Sequence, residues 1–339
     1  MSNTNMFKNK TILITGGTGS LGQALTKYLL ELEVNTIRIF SRNESKQVEM
    51  ESRFRDKRLR FFLGDVKDLP RLTQALEDVD YVFHAAALKH VPKIEYNPFE
   101  AIKTNVIGSQ NVIDACFHNN VQKAICISSD KAVSPLNAYG ATKRLMEKLF
   151  VSANNYLSEK RYQTKFITAR YGNVFGSSGS VLPKFIEQIK SNQKITITDP
   201  NMTRFSITMK QALHFILSAI KYGVGSEIFV PDIKAYSILI VRDALTEIFG
   251  KVKEEVTGIR PGEKLHETLI DKDEMRYSWI YKDMYVITNP FYSLFHDKEV
   301  KKMYQGIKKL KKTDDYSSDK VDKLSKKEII YMLKNLELL

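Results

Sequence analysis

The feature that most constrains this chain is a glycine loop at the seam between a strand and a helix. A short apolar run, 11–15, passes directly into Gly16-Gly17-Thr18-Gly19-Ser20-Leu21-Gly22, spaced G-x-x-G-x-x-G. Glycines at this spacing permit a tight turn, let backbone approach a pyrophosphate and allow a helix to pack closely on its strand. The helix that follows turns its free N–H groups toward the phosphate charge. Ordinary turns also produce such glycines, so the flanking strand and amphipathic helix give the motif its meaning. Gly16, Thr18, Gly19, Ser20, Leu21 and Gly22 are therefore candidates to hold a dinucleotide.

The first half of the chain alternates short apolar runs with amphipathic stretches, the pattern of βαβ units and a parallel sheet. Strands are expected at 11–15, 36–41, 59–64, 81–84, 124–128 and 166–170, with helices near 21–31, 44–54, 98–118 and 138–155. The fold class is α/β, a doubly wound parallel sheet whose ligands bind at the carboxyl ends of the strands. After Arg170 the rhythm breaks into a glycine- and serine-rich loop, 172–180, and then into shorter elements. The expected division is a dinucleotide domain of 8–175 plus part of 200–235, with the segment near 227–230 returning to it. A smaller α/β substrate lobe takes 176–199 and 236–290, and 291–339 forms a lysine-rich tail ending in a helix near 326–338.

The second strand selects the dinucleotide. An acidic residue at its end normally binds the ribose hydroxyls of NAD. Here the sequence is Phe40-Ser41-Arg42-Asn43, with no carboxylate. Arginine holds a phosphate through charge-assisted bonds, so NADP is expected, with Ser41, Arg42 and Lys46 around the ribose phosphate. Asp65-Val66 closes the third strand; Asp65 can accept from an adenine amine or serve as a turn residue. Small residues after His84, among them Ala86, let a cofactor lie against the backbone.

The fifth strand ends in Ser128-Ser129-Asp130-Lys131, and Tyr139-Gly140-Ala141-Thr142-Lys143 follows shortly. Residues four apart on a helix share a face, so Tyr139 and Lys143 point together toward the strand ends. Lysine near tyrosine favours the phenolate, and Ser129 adds a hydroxyl to the same substrate oxygen: a hydride-transfer site in outline.

At these residues the chain resembles the extended short-chain dehydrogenase/reductase family, with a Rossmann-like NADP domain. The likeness narrows through Ala85–Pro92, Ser129-Asp130-Lys131-Ala132, Arg170–Val174, Met202-Thr203-Arg204-Phe205 and Arg260-Pro261-Gly262-Glu263-Lys264-Leu265-His266-Glu267. Together these are similar to the inverting UDP-N-acetylglucosamine 4,6-dehydratases of the pseudaminic acid type. Ser129 stands where that family generally has threonine, which keeps the hydroxyl. The resemblance implies that Asp130 and Lys131 are acid and base in an elimination, and that Tyr139 and Lys143 serve the oxidation. It also implies that Lys89, Asn173, Arg204, Arg260 and Glu263 lie near the sugar, diphosphate and uridine. Lys131 must be neutral to act as a base; burial beside cations favours that state and the Asp130 carboxylate opposes it. His266 reads as structural. A nucleotide-sugar 4-epimerase needs only Ser129, Tyr139 and Lys143, and a retaining 4,6-dehydratase usually carries Asp-Glu at the Asp130-Lys131 position. A non-catalytic NADP-binding scaffold or sensor tends to lose the tyrosine and lysine.

Composition removes other classes. Hydrophobic residues at 43% and charged residues at 27% are globular values, against disorder. No apolar signal core opens the chain and no apolar run suits a membrane span, so a cytoplasmic address is expected. The net charge of +13 gathers partly in the tail, where acidic residues interrupt it, so a solvated surface is expected rather than a nucleic-acid arm. Cys116 and Cys126 have no metal-ligand spacing, no metal is expected, and a homo-oligomer is.

Overall fold

Runs rich in β-branched and aromatic residues form six parallel strands: β1 (Thr11–Thr15), β2 (Thr36–Ser41), β3 (Leu59–Leu63), β4 (Tyr81–His84), β5 (Lys123–Ile127) and β6 (Lys165–Ala169). The computed structural model describes residues 5–153, 155, 163–177, 180–289, 297–311 and 313–335. The strands lie side by side in the order 3-2-1-4-5-6. Every residue of β1 and of β4 is buried, which explains their continuous apolar character: helices cover both faces of the sheet. The order reverses between β1 and β4, and the carboxyl ends of these two strands open the crevice in which such sheets bind ligands.

The sheet continues beyond β6. Glu227–Pro231 pairs parallel with β6, and Met284–Ile287, Ser278–Tyr281 and Lys308–Lys309 add antiparallel, giving ten strands among the described residues. The sequence division placed 236–290 in the smaller lobe and 291–339 in a tail, but the large sheet takes strands from both. The reason is a few deeply buried anchors that leave no periodic trace: Trp279 and Val286 in the hairpin, Tyr304 and Ile307 near the edge strand. Tyr304 donates its hydroxyl to buried Glu227 at 2.6 Å, tying the later chain to the sheet. The helix Lys326–Lys334 buries Ile329 and Leu333 in one cluster with Val241 and Leu245 of the helix Ile238–Phe249. That cluster also holds Phe185 of the helix Val181–Lys190 and Ile195 of the parallel pair Ile195–Ile197 and Glu254–Val256. The antiparallel pair Thr203–Ile207 and Ala235–Ser237, with Asn173–Val174 parallel to the first, forms a separate three-stranded sheet.

One expected helix is broken. The stretch 98–118 folds as Pro98–Ala101, a π-helical segment Ile102–Ile107, and Gly108–His118. Such π segments are frequent at functional sites. This one contributes buried Asn105, whose amide brackets Leu88 (N–H to Oδ1 2.8 Å, Nδ2 to carbonyl 3.0 Å) and donates to Thr142 Oγ1 at 3.0 Å. The loop after β4 is thereby fastened to the helix Ala138–Ser152. Residues 154, 178, 179 and 336–338 of the expected elements lie outside the described residues. Among the described residues no helix is long and apolar enough to cross a membrane.

Candidate active site

The glycine loop closes on the end of β4. Gly16 has φ +66°, and a Cβ there would stand 2.8 Å from the Ala86 backbone nitrogen, so only glycine fits. A buried chain of hydrogen bonds braces the loop from below: Thr15 Oγ1 to His84 Nδ1 at 2.8 Å, and His84 Nε2 to Ser109 Oγ at 2.9 Å. Ser109 gives its own proton to the Asn105 carbonyl at 2.6 Å, so it accepts from the imidazole N–H and leaves Nδ1 to accept from Thr15. Burial pushes His84 down to about 3, with the Lys143 charge adding to the effect, so the ring is a neutral strut. In the sequence His84 marks only the end of a strand.

At the outer end of the crevice, Arg42 Nη1 lies 3.4 Å from Asp65 Oδ2 and its side chain is 54% exposed. Ser41 is buried and its hydroxyl accepts from Gln47 at 3.0 Å. Asp65 serves as a turn residue, its Oδ1 accepting from Lys67 N–H at 3.0 Å. Lys46, Val66 and Ala86 line the same crevice.

The chemistry-bearing residues meet where β5 ends. Ser129 caps the 3-10 turn Asp130–Ala132, which packs against the start of the helix Ala138–Ser152. A Cβ on Gly140 would fall 2.2 Å from the Lys131 carbonyl oxygen, so the glycine after Tyr139 is what lets turn and helix touch. Asn137 caps that helix by accepting from Gly140 N–H at 2.8 Å and reaches the Gly262 carbonyl at 2.8 Å with its amide. The Arg260–Glu267 segment is thus pinned to the start of the helix Ala138–Ser152.

Lys131 is the centre of the cluster. Its Nζ lies 3.0 Å from Asp130 Oδ1, 3.2 Å from Asn173 Oδ1 and 3.4 Å from Glu267 Oε1. Burial works to discharge the amine, but the Asp130 and Glu267 carboxylates outweigh it and hold Lys131 above the usual lysine range. The neutral lysine required of a base is therefore not its resting state. Burial also raises Tyr139, against the Lys131 charge and a hydrogen bond with Ser129. The expectation gave the phenolate-favouring role to Lys143. That lysine instead donates to the Ile127 carbonyl at 2.7 Å, and burial lowers it to about 8.

The expected substrate residues divide. Lys89, Asn173, Arg204, Arg260 and Glu263 all line one cleft with the glycine loop and Tyr139, of about 1040 Å³. Arg260 is exposed and forked onto Glu263 by two bonds of 3.1 Å. Arg204 spends its donors on the carbonyls of Thr203, Leu265 and Lys264 at 2.8–3.0 Å, so it shapes the loop as well as facing the cleft. His266 bonds Thr203 at 2.8 Å. Glu267, 3% exposed, lines the same cleft and has no role foreseen from sequence. Its signal was a carboxylate in the same string as Arg260 and Glu263.

A family model described as "Polysaccharide biosynthesis protein" matches residues 12–289. The chain is 46% identical over 338 residues to a Campylobacter jejuni protein named UDP-N-acetylglucosamine 4,6-dehydratase (inverting), covering 98% of this chain and 99% of that one. It is 41% identical over 337 residues to a Rickettsia felis protein named UDP-glucose 4-epimerase, covering 98% and 97%. Among solved structures, Pen from Bacillus thuringiensis superposes with a TM-score of 0.89 at 39% identity, covering 98% of this chain and 99% of that one.

The depressed Lys143 makes a linkage prediction. Below pH 8 this lysine is charged in both folded and unfolded chains, and the cost of burying the ammonium is borne in full. Between about 8 and the ordinary 10.5 the unfolded chain binds more protons, so stability gains as pH rises. Denaturant unfolding should therefore show Lys143→Met changing relative to the parent by roughly 3 kcal/mol in the parent's favour between pH 8 and 10.5. A difference that stays constant across that window would contradict the assignment.

Proposed function

This chain belongs to the polysaccharide biosynthesis protein family, and we propose that it is an inverting 4,6-dehydratase acting on UDP-N-acetylglucosamine with NADP as its resident cofactor. The product is a UDP-4-keto-6-deoxy-L-sugar. One observation carries the reading: at the end of β5 Lys131 lines the same cleft as Ser129, Tyr139 and Lys143, with the fully buried Asp130 in contact with it. An epimerase, the activity named for the Rickettsia relative, has no use for that pair, since oxidation and reduction at carbon 4 need only the serine, tyrosine and lysine.

The cleft suits a dinucleotide. Gly16 leaves room that a side chain would fill, and the N-terminus of the helix Ser20–Leu30 presents free N–H groups. Bound NADP supplies the acceptor, and later the donor, of the one hydride exchanged with the sugar. Tyr139, bonded to Ser129 and facing the Lys131 charge, takes the proton of the 4-hydroxyl. The resulting ketone acidifies carbon 5. Lys131 removes the carbon 5 proton, and an acid in the cluster protonates the departing 6-hydroxyl. Arg260, exposed at the rim, fits a diphosphate by its planar fork. Arg42 stands at the strand end where NAD-binding chains carry an acid, with Lys46 on the same wall.

Nucleotide released on denaturation should be NADP, and Arg42→Ala should weaken NADP binding roughly 10- to 100-fold while sparing NAD, the scale of one charge-assisted contact. Equal affinity of the parent for both dinucleotides would contradict the choice of NADP. Lys131→Ala should still reduce bound cofactor when substrate is added, at a higher pH than the parent because Tyr139 loses a nearby cation. Dehydrated product should fall about 10²–10⁴-fold. Turnover of the parent in heavy water should place deuterium at carbon 5 with inverted configuration. Undiminished dehydration by the variant, or a carbon 4 epimer from the parent, would overturn the reading.

A further inference from the structure

We propose that Glu267 accepts a proton from Lys131 and so frees the amine that deprotonates carbon 5, a positioning and relay role that rests on the dehydratase reading above. An ammonium has no lone pair, and every close partner of Lys131 favours the ammonium: Asp130 at 3.0 Å, Asn173 at 3.2 Å and Glu267 at 3.4 Å. The proton has to move within an enclosed cluster, because Asp130 is fully buried and Glu267 is 3% exposed.

The two carboxylates are not equivalent as acceptors. Asp130 Oδ1 is already committed, taking the Ser129 hydroxyl at 2.8 Å as well as Lys131. Among the described residues both carboxylates keep one buried oxygen without a hydrogen-bond partner, Asp130 Oδ2 and Glu267 Oε2, so the difference lies in the other oxygen: Glu267 Oε1 has only ion-pair contacts, to Lys131 at 3.4 Å and to Arg204 Nε at 3.8 Å. Burial raises Glu267 above the ordinary carboxylate range; the charges of Lys131, Arg204 and Lys264 work against that rise and Asp130 adds to it. Tyr139 and Arg204 also face Lys131, and Lys264 is held off by its bond to the Val133 carbonyl at 2.6 Å. The position of Glu267 is set by its backbone, whose N–H donates to Ser318 Oγ at 2.9 Å while its carbonyl accepts from Ser318 N–H at 2.7 Å.

The step balances. An N–H bond of Lys131 breaks, an O–H bond forms on Glu267, and the bonding pair stays on nitrogen. That pair takes the carbon 5 proton, while the C–H electrons pass into the enolate of the 4-ketone. Lys131 and Glu267 together then hold one proton more than at rest, and it leaves with the carbon 6 hydroxyl as water.

The test is Glu267→Gln, which keeps the shape and removes the acceptor, with cofactor reduction followed by absorbance and dehydrated product followed by NMR across pH. Cofactor reduction should persist, product formation at pH 7 should fall about 10²-fold or more, and it should recover roughly tenfold per pH unit as solvent takes over the proton. Glu267→Asp should restore the parent's pH profile at a reduced rate. Parental or faster product formation by Glu267→Gln at pH 7 would overturn the relay, since it is the result expected if the carboxylate merely holds the lysine charged. Equal loss of both readouts with an unchanged profile would mark a structural role and overturn it too. If the glutamine variant does not fold, the aspartate variant decides: a displaced profile refutes the relay and a parental profile supports it. A parent enzyme that yields no dehydrated product at any pH refutes the dehydratase reading itself, before any variant is made.

Discussion

The Ser129–Lys143 end of the cleft rests on the buried guanidinium of Arg170 at the end of β6. It meets Glu147 at 2.6 and 2.8 Å, Glu274 at 2.7 and 2.9 Å, and the Leu269 carbonyl at 2.9 Å. Arg144 joins both glutamates, making two positive and two negative charges. Ser128 adds its hydroxyl to Glu147 at 2.6 Å. Burial opposes an ionised Glu274, but the Arg170 charge holds it down at about 2. Such a cluster contributes little net stability once desolvation is counted, yet removing one member typically costs about 3–5 kcal/mol by stranding its partners. What it supplies here is geometry. Ser128 precedes the Ser129-Asp130-Lys131 turn, Glu147 shares a helix with Tyr139 and Lys143, and Glu274 follows Glu267 in the next short helix, Lys272–Met275. Three separate stretches of chain are registered by one set of ion pairs.

Above that foundation two lysines are shifted in opposite directions. Lys143 donates to a backbone carbonyl and, among the described residues, pairs with no carboxylate, so burial prevails over the Glu147 charge and lowers it to about 8. Lys131 is equally enclosed but sits between Asp130 and Glu267, and their charge prevails. The same side chain thus stands in two different electrostatic environments within one cleft. Tyr139 belongs electrostatically to the Lys131 side: burial raises it, the Lys131 charge works against that rise, and Asp130 and Glu267 add to it.

The parallel core was legible because buried central strands must be continuously apolar and because the loop at Gly16 tolerates no side chain. Runs 11–15, 36–41 and 81–84 and the helix 44–54 fold with those bounds. The Asp130-Lys131 and Tyr139–Lys143 spacings likewise announced their proximity locally. Glu267 did not, because its partner is Lys131, far back in the chain, and nothing in a single sequence records that pairing. The later chain was misjudged for a related reason. Strands of two residues, such as Lys308–Lys309 and Tyr316–Ser317, have no period to detect, and a lysine-rich surface hid the anchors beneath it. The break at Ile102–Ile107 was equally silent, since a π segment adds a residue without changing the composition around it.

The most direct measurement follows the hydrogen on carbon 4. UDP-N-acetylglucosamine deuterated there, incubated with the purified protein and no added NADPH, should give a 4-keto-6-deoxy sugar with deuterium on carbon 6, because the hydride that leaves one carbon returns to another of the same molecule. Deuterium lost to solvent, or product that forms only as NADPH is consumed in equal amount, would contradict a dehydratase with internal hydride return.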